Sequence, residues 1–255
     1  MLMQIKSQRP LYLEETMFEY QLERLNQNIV VCVTPEHKFG TDAFLLANFA
    51  SPRRKDLVCD LGTGCGIIPF IWCKRHKPKE IWGVEIQPQG IEQFQIGLDH
   101  STVEPVIHPV CGDLKKLSGM PFGQFDLVTC NPPYFSNGAG FLSEMSAEQV
   151  ARHETRCTIQ DVCQSAAKLL KYGGKLCICQ RPERLADTIC SMREAGLEPK
   201  RLRMVAKYPN STPWLFLLEG KKGSKPFLQV MPTLGIYEGE EFSQEMQKIY
   251  DWEAE

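Results

Sequence analysis

The sequence predicts an α/β fold built on a doubly wound, mostly parallel sheet whose last strand runs antiparallel. Short apolar runs alternate with helical segments from Asp56 onwards, a pattern typical of strand–helix–strand units. A glycine-rich turn spanning Gly62 to Gly66 joins the first of these strands to its helix. The last two predicted strands, 202–208 and 214–219, are joined by a short loop without a crossover helix, and such a connection requires an antiparallel strand.

Polar residues follow the ends of three predicted strands. Strand 56–60 runs into the glycine-rich turn, where missing Cβ atoms let a ligand approach the backbone. Strand 81–84 ends at Glu85, where a carboxylate is placed to accept hydrogen bonds from ribose hydroxyls. Strand 106–110 leads to Asp113, which can accept from an adenine amino group. Because open α/β sheets bind ligands at the carboxyl ends of their strands, these positions predict one shared site.

A proline corner ends the fourth predicted strand, which runs from Phe125 to Cys130. The sequence there is Asn131-Pro132-Pro133-Tyr134, and the prolines stop the strand because they cannot donate to a sheet. The side-chain oxygen of Asn131 and the carbonyl of Pro132 are two acceptors that favour the pyramidal, nucleophilic form of a planar amino group. The ring of Tyr134 can stack on a base. On these four residues alone, a proline-stiffened turn explains the pattern equally well.

Composition indicates a globular protein with no global basic field. The 255 residues are 43% hydrophobic and 24% charged, with a formal net charge of −2. No apolar run approaches the ~18 residues that cross a bilayer, and residues 1–10 contain no signal-peptide core. We therefore expect a cytoplasmic protein with no membrane association. We also expect a single domain over 1–255, made of an N-terminal extension with its helix (1–50), a core (56–230) and a C-terminal tail (231–255).

The 11 cysteines form neither a metal-binding nor a disulfide pattern. Their number is odd, no CxxC pair occurs, and most lie inside apolar runs such as Leu57-Val58-Cys59. Cys177 and Cys179 share one face of a predicted strand but lack the spacing of a zinc site. We interpret the cysteines as small buried hydrophobic side chains in a reducing compartment, and we expect no metal.

The N-terminal extension contains a strand, a turn and a helix. Residues 29–33 form a predicted strand, and residues 37–39 form a possible return strand of a hairpin. The helix begins near Gly40, with Thr41 or Asp42 as its N-cap. The unpaired N–H groups of a helix N-terminus suit an anionic ligand group, although simple capping explains either side chain taken alone.

The four strand ends, in this order, resemble the class I S-adenosylmethionine-dependent methyltransferases that methylate amino or amide nitrogens. The resemblance implies a Rossmann-like fold of seven strands, S-adenosylmethionine as cofactor, S-adenosylhomocysteine as product, and no metal. It assigns the methionine part of the cofactor to the glycine turn, the ribose to the acid after the second strand and the adenine to the acid after the third. The cofactor residues, with their neighbours, are Thr41, Asp60, Gly62, Gly64, Gly66, Glu85, Ile86, Gly112, Asp113, Leu114 and Asn131. The catalytic residues are Asn131, Pro132, Pro133 and Tyr134.

Nearly the whole chain resembles the bacterial valine tRNA (adenine-37-N6)-methyltransferase family. The similarity is carried by five further blocks, at 39–47, 151–154, 169–176, 181–185 and 196–203. It implies methylation of an exocyclic adenine nitrogen in the anticodon loop of a tRNA. We expect the protein to be a monomer or weak dimer.

Two other activities remain open at this point. The nearer is a methyltransferase with the same corner that acts on a guanine amino group in rRNA or on a glutamine amide in a release factor. The more distant is a nucleotide-binding Rossmann oxidoreductase or a binding domain without catalysis. The GxGxG spacing of the turn, rather than GxGxxG, counts mildly against a dinucleotide enzyme.

A protein of net charge −2 needs a local basic surface to hold RNA. Residues 200–225 contain seven basic residues against the single acid Glu219, and we expect this cluster to contact the RNA backbone. Its members are Lys200, Arg201, Arg203, Lys207, Lys221, Lys222 and Lys225. A second cluster at 74–79 is interpreted as solvated charge. Arg152 and His153 close a long loop after the proline corner and could touch the target nucleotide, although a solvated helix start is the simpler interpretation of each.

Overall fold

The computed structural model describes residues 4–5, 18–35, 39–132 and 157–250. Its strands are β1 (Gln4–Ile5), β2 (Gln21–Asn26), β3 (Ile29–Val33), β4 (Leu57–Leu61), β5 (Glu80–Glu85), β6 (Val106–Cys111), β7 (Phe125–Cys130), β8 (Leu170–Gln180), β9 (Leu197–Ala206), β10 (Pro213–Lys222), β11 (Gln229–Val230), β12 (Leu234–Gly235), β13 (Tyr237–Glu238) and β14 (Glu241–Phe242). Its α-helices are α1 (Thr41–Ala50), α2 (Ile67–Arg75), α3 (Pro88–Asp99), α4 (Ile159–Leu169), α5 (Leu185–Glu194) and α6 (Gln244–Tyr250). Two 3₁₀ turns cover Leu114–Lys116 and Pro182–Arg184.

One mixed sheet organises the described part of the chain. Seven strands follow one another in the order β6-β5-β4-β7-β8-β10-β9, and β11 and β12 both pair with the outer side of β9. The first five of these strands are parallel to one another, whereas β10 is antiparallel to both β8 and β9. This arrangement confirms the predicted α/β sheet with an antiparallel last strand. The two short strands β11 and β12 were not predicted.

The sheet separates two hydrophobic cores because successive strand side chains point to opposite faces. Val58, Leu127 and Leu217 face the layer of α1, α2 and α6. Val128 and Leu218, each one residue further along its strand, face α4 and α5. Parallel strands covered on both faces carry continuous apolar runs, which is why the strands could be recognised from the sequence.

The N-terminal extension forms a hairpin, but with a different partner from the one predicted. β3 pairs with β2, which precedes it, and β1 adds a third strand. The turn between β2 and β3 is closed by Asn26, whose side-chain oxygen accepts from the backbone N–H of Asn28 (2.8 Å). The predicted return strand at 37–39 is therefore wrong at Phe39, which lies outside any strand, while 36–38 lie outside the described residues.

Helix α1 also begins differently from the prediction. Its N-cap is Gly40, which has no side chain to cap the helix, so neither Thr41 nor Asp42 is the N-cap. Thr41 instead shares a hydrogen bond with the Tyr250 hydroxyl on α6 (2.6 Å). The guanidinium of Arg75 donates to two carbonyls at the end of α6, at 3.0 and 2.6 Å. These contacts fasten α6 across the start of α1 and the end of α2.

Helix α4 passes directly into β8. It starts with a capping box formed by Thr158 and Asp161, it ends at Leu169, and β8 starts at the next residue. The Lys222 ammonium donates to the carbonyls of Ala167 in α4 and Leu170 at the start of β8, at 2.5 and 2.7 Å, and so satisfies acceptors where the helix ends.

Two of the glycines with positive φ in the turn after β4 lie in different surroundings. Gly62 has φ 72° with no atom within 4 Å of an added Cβ, whereas Gly66 has φ 81° and a Cβ there would lie 2.2 Å from the buried ring of Phe94. We expect both alanine variants to lose the ~1–2 kcal/mol that a left-handed conformation costs. Gly66→Ala should lose a further ~1–3 kcal/mol because Phe94 must move. Urea denaturation of both variants measures the difference in the free energy of unfolding. Equal losses would show that the Phe94 ring moves at no measurable cost.

Candidate active site

A cavity of about 250 Å³ opens at the carboxyl ends of β4, β5 and β7, against the start of α1. Five residues expected at the cofactor or acceptor line it, namely Asp60, Gly62, Gly64, Glu85 and Asn131. Residues that the sequence did not single out for a site complete its wall, and they include Phe39, Asp42, Thr63, Gln87 and Gly90. The structure thus brings together polar groups from three strand ends that are far apart in the sequence.

Other expected cofactor residues lie beside this cavity or away from it. Gly66 packs under the turn against Phe94, and Thr41 lines a neighbouring cavity. Ile86 is 53% exposed. The backbone N–H of Gly112 donates to the carbonyl of Glu85 (2.9 Å), which places the tip of β6 next to the tip of β5. The remaining two, Asp113 and Leu114, sit at that tip, where Asp113 caps a 3₁₀ turn by accepting from the Lys115 N–H (2.9 Å). The cofactor role of these residues stays a prediction.

Asp60 is a buried carboxylate at the end of β4. It is 1% exposed, and Thr129 on β7, its partner in the strand register, donates a hydrogen bond to it (2.6 Å). Burial raises the pKa of Asp60 to about 7, and the negative charge of Glu85 acts in the same direction while the Thr129 hydroxyl opposes it. Asp60 therefore sits where a cationic ligand group would favour its ionised form.

Glu85 holds the glycine-rich turn in place. One carboxylate oxygen accepts from the backbone N–H of Gly64 (3.0 Å), and the other accepts from that of Gln87 (2.9 Å). The residue is 7% exposed and lines the cavity. A carboxylate offers about four lone-pair positions, so these two bonds leave capacity for ligand hydroxyls. The residue expected to bind the ribose is also part of the turn's own structure.

Asn131 is held from two sides at the mouth of the cavity. Its Nδ2 donates to the carboxylate of Asp42 on α1 (3.1 Å), and its Oδ1 accepts from the thiol of Cys179 on β8 (3.0 Å). Because a carboxylate only accepts, the contact with Asp42 fixes which way the amide faces. Pro132 follows at the described end of the corner, whereas Pro133, Tyr134, Arg152 and His153 lie outside the described residues.

Three residues of this arrangement were not predicted as functional. The sequence marked Asp42 as a possible helix cap, Cys179 as a buried apolar group and Thr129 as part of a strand. Their contacts join residues 89, 48 and 69 positions apart. One signal was available for Thr129, because a polar residue that alternates with apolar ones in a buried strand needs a hydrogen-bond partner.

The basic cluster at 200–225 is not a single exposed surface. Arg201 donates to the buried carboxylate of Glu219 (2.6 Å), and its guanidinium lies 4.5 Å from the ring centroid of Phe49 on α1. Arg203 donates to the carboxylate of Glu245 (2.7 Å). Lys222 is bound to the end of α4, and the Lys200 ammonium donates to the carbonyl of Lys225 (3.0 Å). Arg201, Arg203 and Lys222 therefore have structural partners, which the count of charges did not reveal.

The direction of β10 separates most of this cluster from the candidate site. Lys221 pairs with Lys175 in the middle of β8, and Lys175 pairs with Leu127 near the start of β7, whereas Asn131 follows the end of β7. Because β7 and β8 are parallel, these positions lie at opposite edges of the sheet. The structure does not bring Lys221, Lys222 or Lys225 together with Asn131. Lys207, which follows β9, lies at the same edge as Asn131.

The cysteines are mostly buried, in agreement with the sequence. Eight of the 11 are buried, Cys157 is partly exposed, and Cys111 and Cys190 are exposed. Burial raises the pKa of Cys32, Cys65 and Cys73 to about 12, so these thiols stay protonated at neutral pH. Within the described ranges, no group of three or more His, Cys, Asp or Glu side chains could hold a metal ion. The helices described here include none that is long and apolar enough to cross a membrane.

Comparison with known proteins identifies the sequence family. The methyltransferase small domain matches residues 35–195, which is more than half of the chain. A tRNA1(Val) (adenine(37)-N6)-methyltransferase of Parabacteroides distasonis is 27% identical over 182 residues, covering 71% of this chain and 76% of the relative. A protein of the same name from Yersinia enterocolitica is 29% identical over 142 residues, covering 55% of this chain and 56% of that relative.

Solved structures share the fold at low sequence identity. A protein described as a "predicted O-methyltransferase" from Agrobacterium tumefaciens has a TM-score of 0.68 at 20% identity, covering 82% of this chain and 95% of its own. The TYW2 protein of M. jannaschii in complex with AdoMet has a TM-score of 0.55 at 13% identity, covering 84% and 89%. At these identities the similarity concerns the fold alone.

We expect Asp60→Asn to stabilise the ligand-free protein more at about pH 8 than at about pH 5. The pKa of Asp60 rises from 3.8 to about 7 on folding, so between these values the folded protein holds more protons than the unfolded chain. Stability then falls as the pH rises through this window, and the amide variant lacks that loss because it cannot ionise. Urea denaturation of both proteins at the two pH values measures the effect.

Asp99→Asn, at the exposed end of α3, controls for the general loss of one negative charge. This control should change stability by a similar amount at both pH values. If Asp60→Asn behaved like the control, Asp60 would ionise in the folded protein as it does in an unfolded chain.

Proposed function

Because the chain belongs to the methyltransferase small-domain family, we propose that it methylates the N6 amino group of an adenine in tRNA, with S-adenosylmethionine as the methyl donor. The names of the aligned relatives support the substrate, position 37 of a valine tRNA. The observation that carries the proposal is the Asn131 amide at the mouth of the cavity, oriented by Asp42. We propose the cytoplasm as the compartment, since tRNA is the substrate.

The residues around the cavity suit the proposed cofactor. S-adenosylmethionine supplies an electrophilic methyl group on a sulfonium centre. The buried carboxylate of Asp60 suits a cationic amino group, and Glu85 has acceptor capacity for ribose hydroxyls. Gly62 and Gly64 have positive φ and present no Cβ, so the backbone of the turn stays open to the ligand.

Asn131 supplies an acceptor for the reacting amino group. The N6 nitrogen of adenine is planar because its lone pair is delocalised into the ring, and it must become pyramidal to attack a methyl group. We propose that the Oδ1 of Asn131 and the carbonyl oxygen of Pro132 accept hydrogen bonds from the two N–H groups of this nitrogen. Both hydrogen bonds strengthen as positive charge develops on the nitrogen. Oδ1 has two lone pairs, so it can accept from the Cys179 thiol and from the substrate together.

Asp42 acts as a positioning residue for this acceptor. Its carboxylate takes one N–H of the Asn131 amide, so Nδ2 faces α1 and Oδ1 faces the opposite side. Loss of that contact removes one of the two bonds that hold the amide, so the amide can turn more easily and present a donor where an acceptor is needed. A group held in the reactive orientation before reaction needs no reorganisation in the transition state.

Transfer of a tritiated methyl group to purified tRNA, followed by nucleoside analysis, tests the proposal. The expected product is N6-methyladenosine, at position 37 of a valine tRNA. In parallel reactions with rRNA or a release factor in place of tRNA, label in a guanine or a glutamine would assign the same active-site chemistry to another acceptor. Tight binding of NADH with no methyl transfer would overturn the proposed activity.

Asn131→Ala should lower kcat by ~10²–10³ because the lost acceptor acts in the transition state. The dissociation constant of the cofactor should change little, since Asp60 and Glu85 remain. Single-turnover methylation gives the rate, and calorimetry gives the cofactor affinity. Cys179→Ala is the matched control, because it removes the other partner of Oδ1 and leaves the acceptor itself. Near-normal turnover by Asn131→Ala would refute the role of the amide.

Asp42→Leu should lower kcat by about tenfold or more, whereas Asp42→Asn should retain most of the rate. The asparagine variant can still accept from Asn131 through its own side-chain oxygen, and the leucine variant cannot. Both variants need their cofactor affinity measured, because Asp42 also lines the cavity. Equal rates in the two variants would show that Asp42 does not orient the amide.

A further inference from the structure

A second cavity lies beside the first, on the far side of the start of α1. Its volume is about 490 Å³, within the ~300–1,000 Å³ typical of small-molecule pockets. Gly40 and Asp42 line both cavities, so the two adjoin at the residue that orients Asn131. We call it the aromatic cleft, defined by Lys207, Trp214 and Tyr237. No residue of the aromatic cleft belongs to the cofactor set expected from the sequence except Thr41.

Two aromatic rings in this cleft are fixed by their surroundings. The Arg181 guanidinium lies 5.5 Å from the ring centroid of Trp214 and donates to its backbone carbonyl (3.2 Å). Tyr237 stacks on Phe242 at 5.1 Å with 14° between the rings. Both Trp214 and Tyr237 remain partly exposed. Rings that are already ordered lose little conformational freedom when a flat ligand stacks on them.

A cation stands at the rim of the same cleft. Lys207 is exposed, and its ammonium lies 5.4 Å from the ring centroid of Tyr208. Among the described residues it forms no ion pair, in contrast to Arg201 and Arg203 of the sequence cluster. The backbone N–H of Tyr237 donates to the carbonyl of Lys207 (2.9 Å), which ties the cation to the aromatic wall.

Rings for stacking combined with a cation for phosphate are the chemistry of single-stranded nucleic acid binding. We propose that the aromatic cleft binds the nucleotide of the substrate RNA adjacent to the target adenine, with its base stacked on Trp214 and its phosphate at Lys207. This inference rests on the proposed function, because it takes RNA as the substrate. An adenine placed at Asn131 leaves its neighbour on the RNA strand next to Asp42, where the cleft begins.

The test uses a labelled anticodon stem-loop RNA of valine tRNA and the full chain. We expect Trp214→Ala to weaken RNA binding by about 10–100-fold, the range typical for removal of one stacking ring, and Trp214→Phe to restore most of it. Lys207→Glu should weaken binding and lower the slope of log affinity against log salt by about 0.7 for each phosphate that the protein no longer neutralises. Cofactor affinity should match the parent in all three variants.

Lys55→Glu is the matched charge-reversal control, because Lys55 is exposed on the turn before β4, at the opposite edge of the sheet. It should bind RNA within about twofold of the parent. RNA containing 2-aminopurine on either side of the target adenine gives a second readout. The parent protein should quench the fluorescence of 2-aminopurine when the analogue is on one side of the target adenine. That quenching should disappear with the Trp214→Ala variant.

The outcomes separate this inference from the proposed function. A parent protein that methylates the RNA while Trp214→Ala and Lys207→Glu bind it equally well overturns the cleft alone. If charge reversal of Lys221 abolishes RNA binding and charge reversal of Lys207 leaves it intact, the RNA binds at the opposite edge of the sheet. This result also overturns the proposal for the aromatic cleft. A parent protein that neither binds nor methylates the RNA overturns the proposed function together with the cleft.

Discussion

The register between β4 and β7 is the constraint on which the candidate site depends. It sets Asp60 beside Thr129 and Leu61 beside Cys130, so the glycine-rich turn and Asn131 leave the sheet at the same level. A slip of one residue would turn every side chain of the strand to the opposite face and would disturb the packing of both cores. The packing of both faces therefore protects the one alignment in which the polar groups meet.

The sequence predicted the sheet and the strand ends well because their signals are local. Apolar runs mark buried strands, glycines mark the turn after β4, and prolines end β7 at Asn131. The carboxyl ends of parallel strands share one edge, so local signals also predicted that Asp60, Glu85 and Asn131 would meet. The lengths of β9 and β10 were underestimated, since charged residues extend the start of β9 and the end of β10 beyond their apolar parts.

Contacts between distant segments could not be predicted in this way. The partners of Asn131 come from α1 and β8, and nothing near either residue in the sequence indicates the pairing. The basic cluster is a different case, because the predicted antiparallel direction of the last strand already implied where its lysines would lie. An antiparallel last strand carries its C-terminal lysines back to the edge from which the parallel strands start, away from the predicted site. Basic residues that are close in the sequence therefore need not share one surface, because the direction of each strand decides at which edge of the sheet they lie.

The fastening of α6 to α1 has a consequence for the order of events during synthesis on the ribosome. The bond between Thr41 and Tyr250 joins residues 209 positions apart, so it forms only after nearly the entire described chain has been translated. The start of α1, which carries Asp42, is synthesised early but gains this contact late, whereas the strands around the glycine-rich turn find their partners much sooner. In a nascent chain that does not yet include Tyr250, those strands can pair while α1, which orients the Asn131 amide through Asp42, still lacks its contact with α6.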